Sequence, residues 1–337
     1  MSASVAGAPA PAAAPAAPVP TYEEALQAIA LARPDVIVMT AENRAAIRGL
    51  PAVLGERFVD VGICEQTMIG AAAGLALRGR TPVVHALASF LVMRAFEFIR
   101  TDVGIANLPV KLIGYVPGFL SDANGPTHQA IEDVALMRGI PNMQVFCPAD
   151  AAELAAALPL LIDSRAPCYV RFNAMPPAVA HPTPFAIGKA EVLSRAPNAP
   201  HAPEIGSDAG AGGPGGRGVA LLTYGFLLRE VDRARALLEA RGIPVELINL
   251  RSLKPLDEAA VLEAAARTRR LVAVEDHFQT GGLYSILAEL LAHHAVACRL
   301  HSISLGERWF KPALLPDVLE HEGFTGPRIA ERVLALL

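Results

Sequence analysis

The sequence predicts an α/β protein built as two consecutive open parallel-sheet domains, and three observations predict it. Short apolar segments of strand length alternate with segments of helical periodicity along most of the chain. A stretch rich in Pro, Gly and Ala, Arg195 to Gly218, interrupts that rhythm, and the rhythm restarts beyond it. The length of 337 residues, 53% of them hydrophobic and 18% charged, suits about two domains with sizeable cores.

Taken in order, the tail 1–20 is almost wholly Ala, Pro and Val; with little to bury it reads as disordered. Tyr22 to Leu31 has helical spacing, and Val36 to Met39 reads as a strand. Phe58 to Val61 gives a second strand, followed by an apolar, small-residue helix that carries Gly70 and Gly74. Thr81 to Ala86 is a third strand, Phe90 to Val103 one long helix, and Val110 to Tyr115 a fourth strand. The loop 116–129 leads to a helix over Ala130 to Met137. Met143 to Phe146 is a strand, Asp150 to Asp163 a helix, and Cys168 to Phe172 a strand. Glu132 and Asp133 read as first-turn acids favoured by the helix dipole.

Past the break, strands are predicted at Val219–Thr223, Val245–Asn249 and Arg270–Glu275, with helices at Leu228–Ala240, Leu256–Arg267 and Gly282–His293. The boundaries this implies are 21–185 for the first domain, 186–218 for a linker and loop, and 219–337 for the second domain. Apolar continuity of the strands argues for parallel sheets covered on both faces.

Composition narrows the function. The formal net charge of −4 makes no electrostatic case for nucleic acid. Cys64, Cys147, Cys168 and Cys298 show neither CxxC spacing nor histidines at zinc distance, so no metal site is predicted; they read as reduced thiols of a cytoplasmic protein. No apolar run reaches the ~18 residues of a membrane span.

The most informative stretch is Gly62 to Met68, GICEQTM. Glu65 is the lone ionisable group in a long apolar neighbourhood, at a strand-to-helix junction. Loss of hydration there disfavours the charged carboxylate unless a partner compensates. By itself this reads first as an ordinary acid at a helix start, interacting with the helix dipole. Three further segments add weight: NGPTHQAIEDVALMRGIPNMQVFCPAD, LRSLKPLDE and VEDHFQTGG.

In this order and at these distances, the four segments resemble the C-terminal half of a transketolase encoded as two separate subunits, related to 1-deoxyxylulose-5-phosphate synthase. The resemblance runs over Tyr22 to Leu337. It implies a domain that binds the pyrimidine of thiamine diphosphate, then a transketolase C-terminal domain. The Gly-Asp-Gly…Asn signature of the diphosphate-binding domain does not occur in these residues. The implied partner is therefore a diphosphate-binding subunit that holds Mg2+ or Ca2+, most simply in an α2β2 heterotetramer acting on sugars or sugar derivatives.

The resemblance also assigns roles. Glu65 matches the glutamate that hydrogen-bonds N1′ of the aminopyrimidine, and Phe90 the aromatic stacked on that ring, with Met93 and Ile63 beside it. His128, in GPTHQ, matches a histidine that exchanges protons with substrate hydroxyls. Asn124, His277, Arg171 and His85 are candidate substrate contacts. Ordinary transketolases carry an acid where Asn124 stands and a second arginine near Arg171, so the acceptor is expected to be atypical. The alternatives are the β chain of a 2-oxoacid dehydrogenase or decarboxylating synthase, and a non-catalytic stabilising partner. GPTHQ and LKPLDE favour transketolase.

Overall fold

A computed structural model describes residues 19–177, 179–196, 218–268, 270–309 and 311–337. The tail up to residue 18 and most of the Pro/Gly-rich loop (197–217) lie outside the described residues.

Helix α1 (Tyr22–Ala32) opens with a capping box in which Thr21 and Glu24 satisfy each other's backbone N–H. Then follow β1 (Val36–Thr40), the short α2 (Leu50–Leu54), β2 (Phe58–Asp60), α3 (Glu65–Leu77) and β3 (Thr81–Leu87). A wide π turn (Phe90–Arg94), the single turn α4 (Phe96–Phe98) and a second π turn (Ile99–Gly104) lead to β4 (Lys111–Tyr115). A 3-10 turn (Gly118–Asn124), α5 (Asp133–Arg138), β5 (Gln144–Phe146), α6 (Ala151–Asp163) and β6 (Cys168–Phe172) complete this half. The remainder comprises β7 (Glu191–Ser194), β8 (Val219–Thr223), α7 (Leu228–Glu239), β9 (Val245–Asn249), β10 (Ser252–Lys254), α8 (Glu258–Thr268), β11 (Arg270–Phe278), α9 (Leu283–His293), β12 (Arg299–Leu305), α10 (Leu315–Glu322) and α11 (Gly326–Leu334).

Two mostly parallel sheets result, in the orders β10-β5-β6-β4-β3-β1-β2 and β12-β11-β8-β9-β7. The central strands β1, β4, β6, β8 and β9 are buried along their whole length, as strands covered by helices on both faces are. In the first sheet the order reverses between β1 and β3, and ligands bind beyond the carboxyl ends of strands at such a reversal. Glu65 follows β2, Phe90 follows β3, and His128 lies in the loop that follows β4.

Three expectations are corrected. The long helix over Phe90–Val103 is instead two π turns around α4. Among its buried residues, Leu91, Ala95, Ile99 and Val103 recur every fourth position. Winding wider than 3.6 residues per turn keeps them on one side. The segment assigned to the linker contributes β7, antiparallel to β9. And β10, from the second half of the chain, adds antiparallel to β5 at the edge of the first sheet, so that sheet draws on both halves.

Candidate active site

Helix α3 begins at Glu65 without a side-chain cap on its N-terminus, while Met68, Ile69, Ala72, Ala73 and Ala76 bury its inner face. That packing draws Glu65 to 2% exposure. The compensating partner is Arg94, 29 residues on in the sequence, whose Nη1 donates to Oε1 at 3.0 Å and Oε2 at 3.1 Å. Arg94 belongs to the first π turn, and its guanidinium carbon lies 3.9 Å from the centre of the Phe90 ring. The Phe90 ring in turn meets the His128 imidazole edge-on, 5.0 Å between centroids. Glu65, Arg94, Phe90 and His128 thus form one contiguous group at successive strand ends.

The rim of this group is open. Ile63 is 69% exposed, Met93 is half-exposed, and Cys64 faces solvent. His128 is half-buried, with Nδ1 at 2.9 Å from the Thr127 hydroxyl. The loop that carries it is pinned from the other half of the chain: the Leu315 N–H donates to Asp122 Oδ2, and Gly125 packs against Pro312. Beside Phe90 and His128 in sequence, Ser89 Oγ and Gln129 Oε1 are buried without a hydrogen-bond partner.

The other candidates stand elsewhere. Arg171 is not available to a substrate phosphate: it is buried on β6, with Nε donating to Asp133 and Nη1 to Asp276, both at 2.8 Å. Asp133 does stand in the first turn of α5, but it is fully buried and also accepts from the Tyr169 hydroxyl at 2.6 Å. His85 points into the core from β3, where Nε2 meets the Tyr22 hydroxyl at 2.7 Å and Nδ1 the Met39 carbonyl at 3.0 Å. Burial pulls it down to about 4, so it is neutral and structural. His277 is equally buried, its ring held between the Phe278 carbonyl and the Ala135 N–H, and burial lowers it too. These positions follow from linear motifs, and burial of a motif residue depends on elements the motif does not contain. Asn124 remains exposed, at the end of the 3-10 turn.

Sequence reasoning misses Arg94. The available signal is a lone cation in the apolar run ASFLVMRAF, four residues after the candidate stacking ring. A second charged group lies apart from this site. Glu153, His181 and Glu191 gather within 4.8 Å of one another, but Arg251 pairs with both glutamates and His181 bonds Asp150 and Glu191, so the charges are met internally.

Comparison with known proteins agrees with this arrangement. Residues 19–175 match the family "Transketolase, pyrimidine binding domain" and residues 214–329 "Transketolase, C-terminal domain". A 6-deoxy-6-sulfo-D-fructose transketolase subunit of Clostridium sp. is 33% identical over 81% of this chain and 80% of its own length. An apulose-4-phosphate transketolase subunit of Actinobacillus succinogenes is 29% identical over 90% and 92%. The 1-deoxy-D-xylulose-5-phosphate synthase of Dictyoglomus thermophilum is 30% identical over 95% of this chain, which spans only 50% of it. Among solved structures, a split-gene transketolase in an inactive β4 tetramer superposes with a TM-score of 0.76 at 30% identity, over 93% of this chain and 95% of that one. With the domain matches, the split relatives and the sheet topology in agreement, the chain belongs to the transketolase family.

Proposed function

We propose that the chain is the pyrimidine-binding subunit of a two-subunit, thiamine diphosphate-dependent transketolase, transferring a two-carbon ketol unit from a ketose to an aldehyde acceptor. The observation that carries this is that one guanidinium, Arg94, bridges a buried carboxylate, Glu65, and the face of Phe90. The residues fit the cofactor's aminopyrimidine. A flat, donor-bearing group, the Arg94 guanidinium, already lies against that ring while donating to that carboxylate. Glu65 would hold N1′ and exchange a proton there. Phe90 would stack on the ring and exclude water from it, with Met93 and Ile63 at its edge. Thiamine diphosphate supplies the carbon nucleophile that accepts the ketol unit. His128, edge-on to Phe90, would move a proton at a substrate hydroxyl as the carbon–carbon bond breaks.

The diphosphate and its Mg2+ or Ca2+ would be held by a partner subunit, in an α2β2 assembly. The outer stripe of α3 supports such a surface: Thr67, Ala71, Gly74 and Leu77 are exposed, and Leu77 reaches 71%. It continues past Ile63, beside Glu65, so an interface there would enclose the site. Among the described residues no helix is long and apolar enough to cross a membrane. The four free thiols suit a reducing cytoplasm.

Because Arg171 is consumed internally, this chain offers the acceptor Asn124 and His128 in place of that guanidinium. An acceptor other than the ordinary aldose phosphates follows. The test is ketol transfer by the complex of this chain with its partner, using ribose 5-phosphate beside non-phosphorylated and sulfonated sugars. Turnover of ribose 5-phosphate at ordinary transketolase efficiency would sink the acceptor assignment. Release of carbon dioxide from pyruvate would move the chain to the 2-oxoacid class, and full activity after Glu65→Ala would leave it a stabilising partner.

A further inference from the structure

We propose that Arg94 is a resident competitor for the cofactor. Its guanidinium takes both contacts the aminopyrimidine requires of this chain, and it must swing outward before the ring can seat. The inference rests on the reading of Glu65 and Phe90 as the aminopyrimidine site.

The geometry is specific. The guanidinium carbon sits 3.9 Å from the Phe90 centroid, which is stacking distance, and one nitrogen reaches both oxygens of Glu65. One ring face accommodates one flat group on a given side. Glu65 cannot withdraw instead, because its side chain is only 3% exposed and fixed by the first turn of α3. Arg94 can, because its side chain is 43% exposed and its long stem carries the charged head into water at little desolvation cost. The π turn brings this about, placing Arg94 one wide turn after Phe90 with the guanidinium over its own helix's ring.

Two consequences follow. While Arg94 is in place, the buried carboxylate keeps a cationic partner, so the site is electrostatically closed before loading. Cofactor affinity is also lowered by the fraction of molecules with Arg94 swung out, since only that fraction is binding-competent. A closed state held nine times in ten costs about tenfold in apparent Kd, or about 1.4 kcal/mol. A merely structural arginine has no such effect.

The experiment measures thiamine diphosphate binding by calorimetry and stopped-flow fluorescence on the full chain assembled with its partner subunit. Arg94→Met, which keeps the stem and removes the planar charge, is expected to lower Kd about tenfold and to speed association. Arg94→Lys is expected to fall between the two, because an ammonium neither stacks as a plane nor bridges both oxygens as well. Thermal melting of each variant checks folding, and Arg94→Gln replaces Arg94→Met if the latter is unfolded. An unchanged or higher Kd for the neutral variant overturns the proposal. So does a structure of the loaded complex with the guanidinium still on Phe90. Phe90→Ala separates the two levels: if it leaves Kd unchanged, the site reading itself fails, whereas weakened binding there with no gain at Arg94 removes only the competitor role.

Discussion

Arg171 on β6 and Asp276 on β11 meet at 2.8 Å, each no more than 3% exposed, and so join the two sheets through one buried ion pair. The same guanidinium binds Asp133 and lies 5.2 Å from the Tyr224 ring. A residue whose motif position points to substrate is in fact the pin between the two halves of the chain.

Removing one partner of such a group strands the others. Arg171→Met leaves two buried carboxylates without their cation and is expected to cost about 3–5 kcal/mol of stability. Chemical denaturation measures it. In the surviving folded complex, the KM for a phosphorylated acceptor is expected to stay near the wild-type value; a large selective rise for phosphorylated acceptors alone would restore a substrate role to Arg171.

Gly118 lies directly over this pair. Its φ is +57°, and a Cβ there would fall 1.6 Å from Asp276 Oδ2. Gly118→Ala is therefore expected to displace the loop that carries His128 or to break the Asp276 contact. The outcome is a destabilised protein with depressed ketol transfer, read from a melting curve and an assay of the same preparation. A wild-type melting curve would show that the loop shifts freely.

The cluster around His181 sets a pH dependence. Burial works against its charged ring, but hydrogen bonds to Asp150 and Glu191 outweigh that and push it up to about 10. The folded state thus holds this proton more tightly than the unfolded chain, whose histidine titrates near 6.5. Its stabilisation is complete below about 6.5 and is lost as the pH rises through about 10. His181→Ala is expected to cost about 2 kcal/mol at pH 6, as befits charge-assisted hydrogen bonds, and progressively less toward pH 10. Urea titrations of both proteins across that range test the convergence; a constant gap would mean that the ring is not charged in the folded state.

At the proposed active site, Glu65→Gln keeps shape and burial but removes the carboxyl proposed to exchange a proton with N1′. Ketol transfer by the assembled complex is expected to fall by two to four orders of magnitude with the assembly intact. His128→Ala is expected to lower kcat more than it raises KM, since it removes the proposed proton-moving group but leaves the Phe90 face in place.

Much of the fold was legible because its determinants are local. β6, β8 and β9 fall at the predicted residues, each buried along its whole length, although Arg171, Glu246 and Asn249 stand among their apolar residues. Asp150, read as the first residue of a helix, is the cap of α6, its carboxylate accepting from Ala152 and Glu153. Three strands escaped, β7, β10 and β12. The first two are short and carry Glu191 and Lys254, so their strand character comes from a neighbouring edge; in β12, Arg299, His301 and two serines break up the apolar residues.

By itself the sequence determined the alternation of strands and helices, the position of Glu65 at a strand end, and the likeness of its motifs to transketolase. Periodicity and caps act over a turn or two, so they are written in consecutive residues. Only the tertiary structure decided which of the named residues share a site. It set Arg94 against Glu65 across 29 positions and Arg171 against Asp276 across 105. It also closed His85 and His277 into the core. Burial and charge pairing depend on which elements pack together, and a motif records only its own neighbours along the chain.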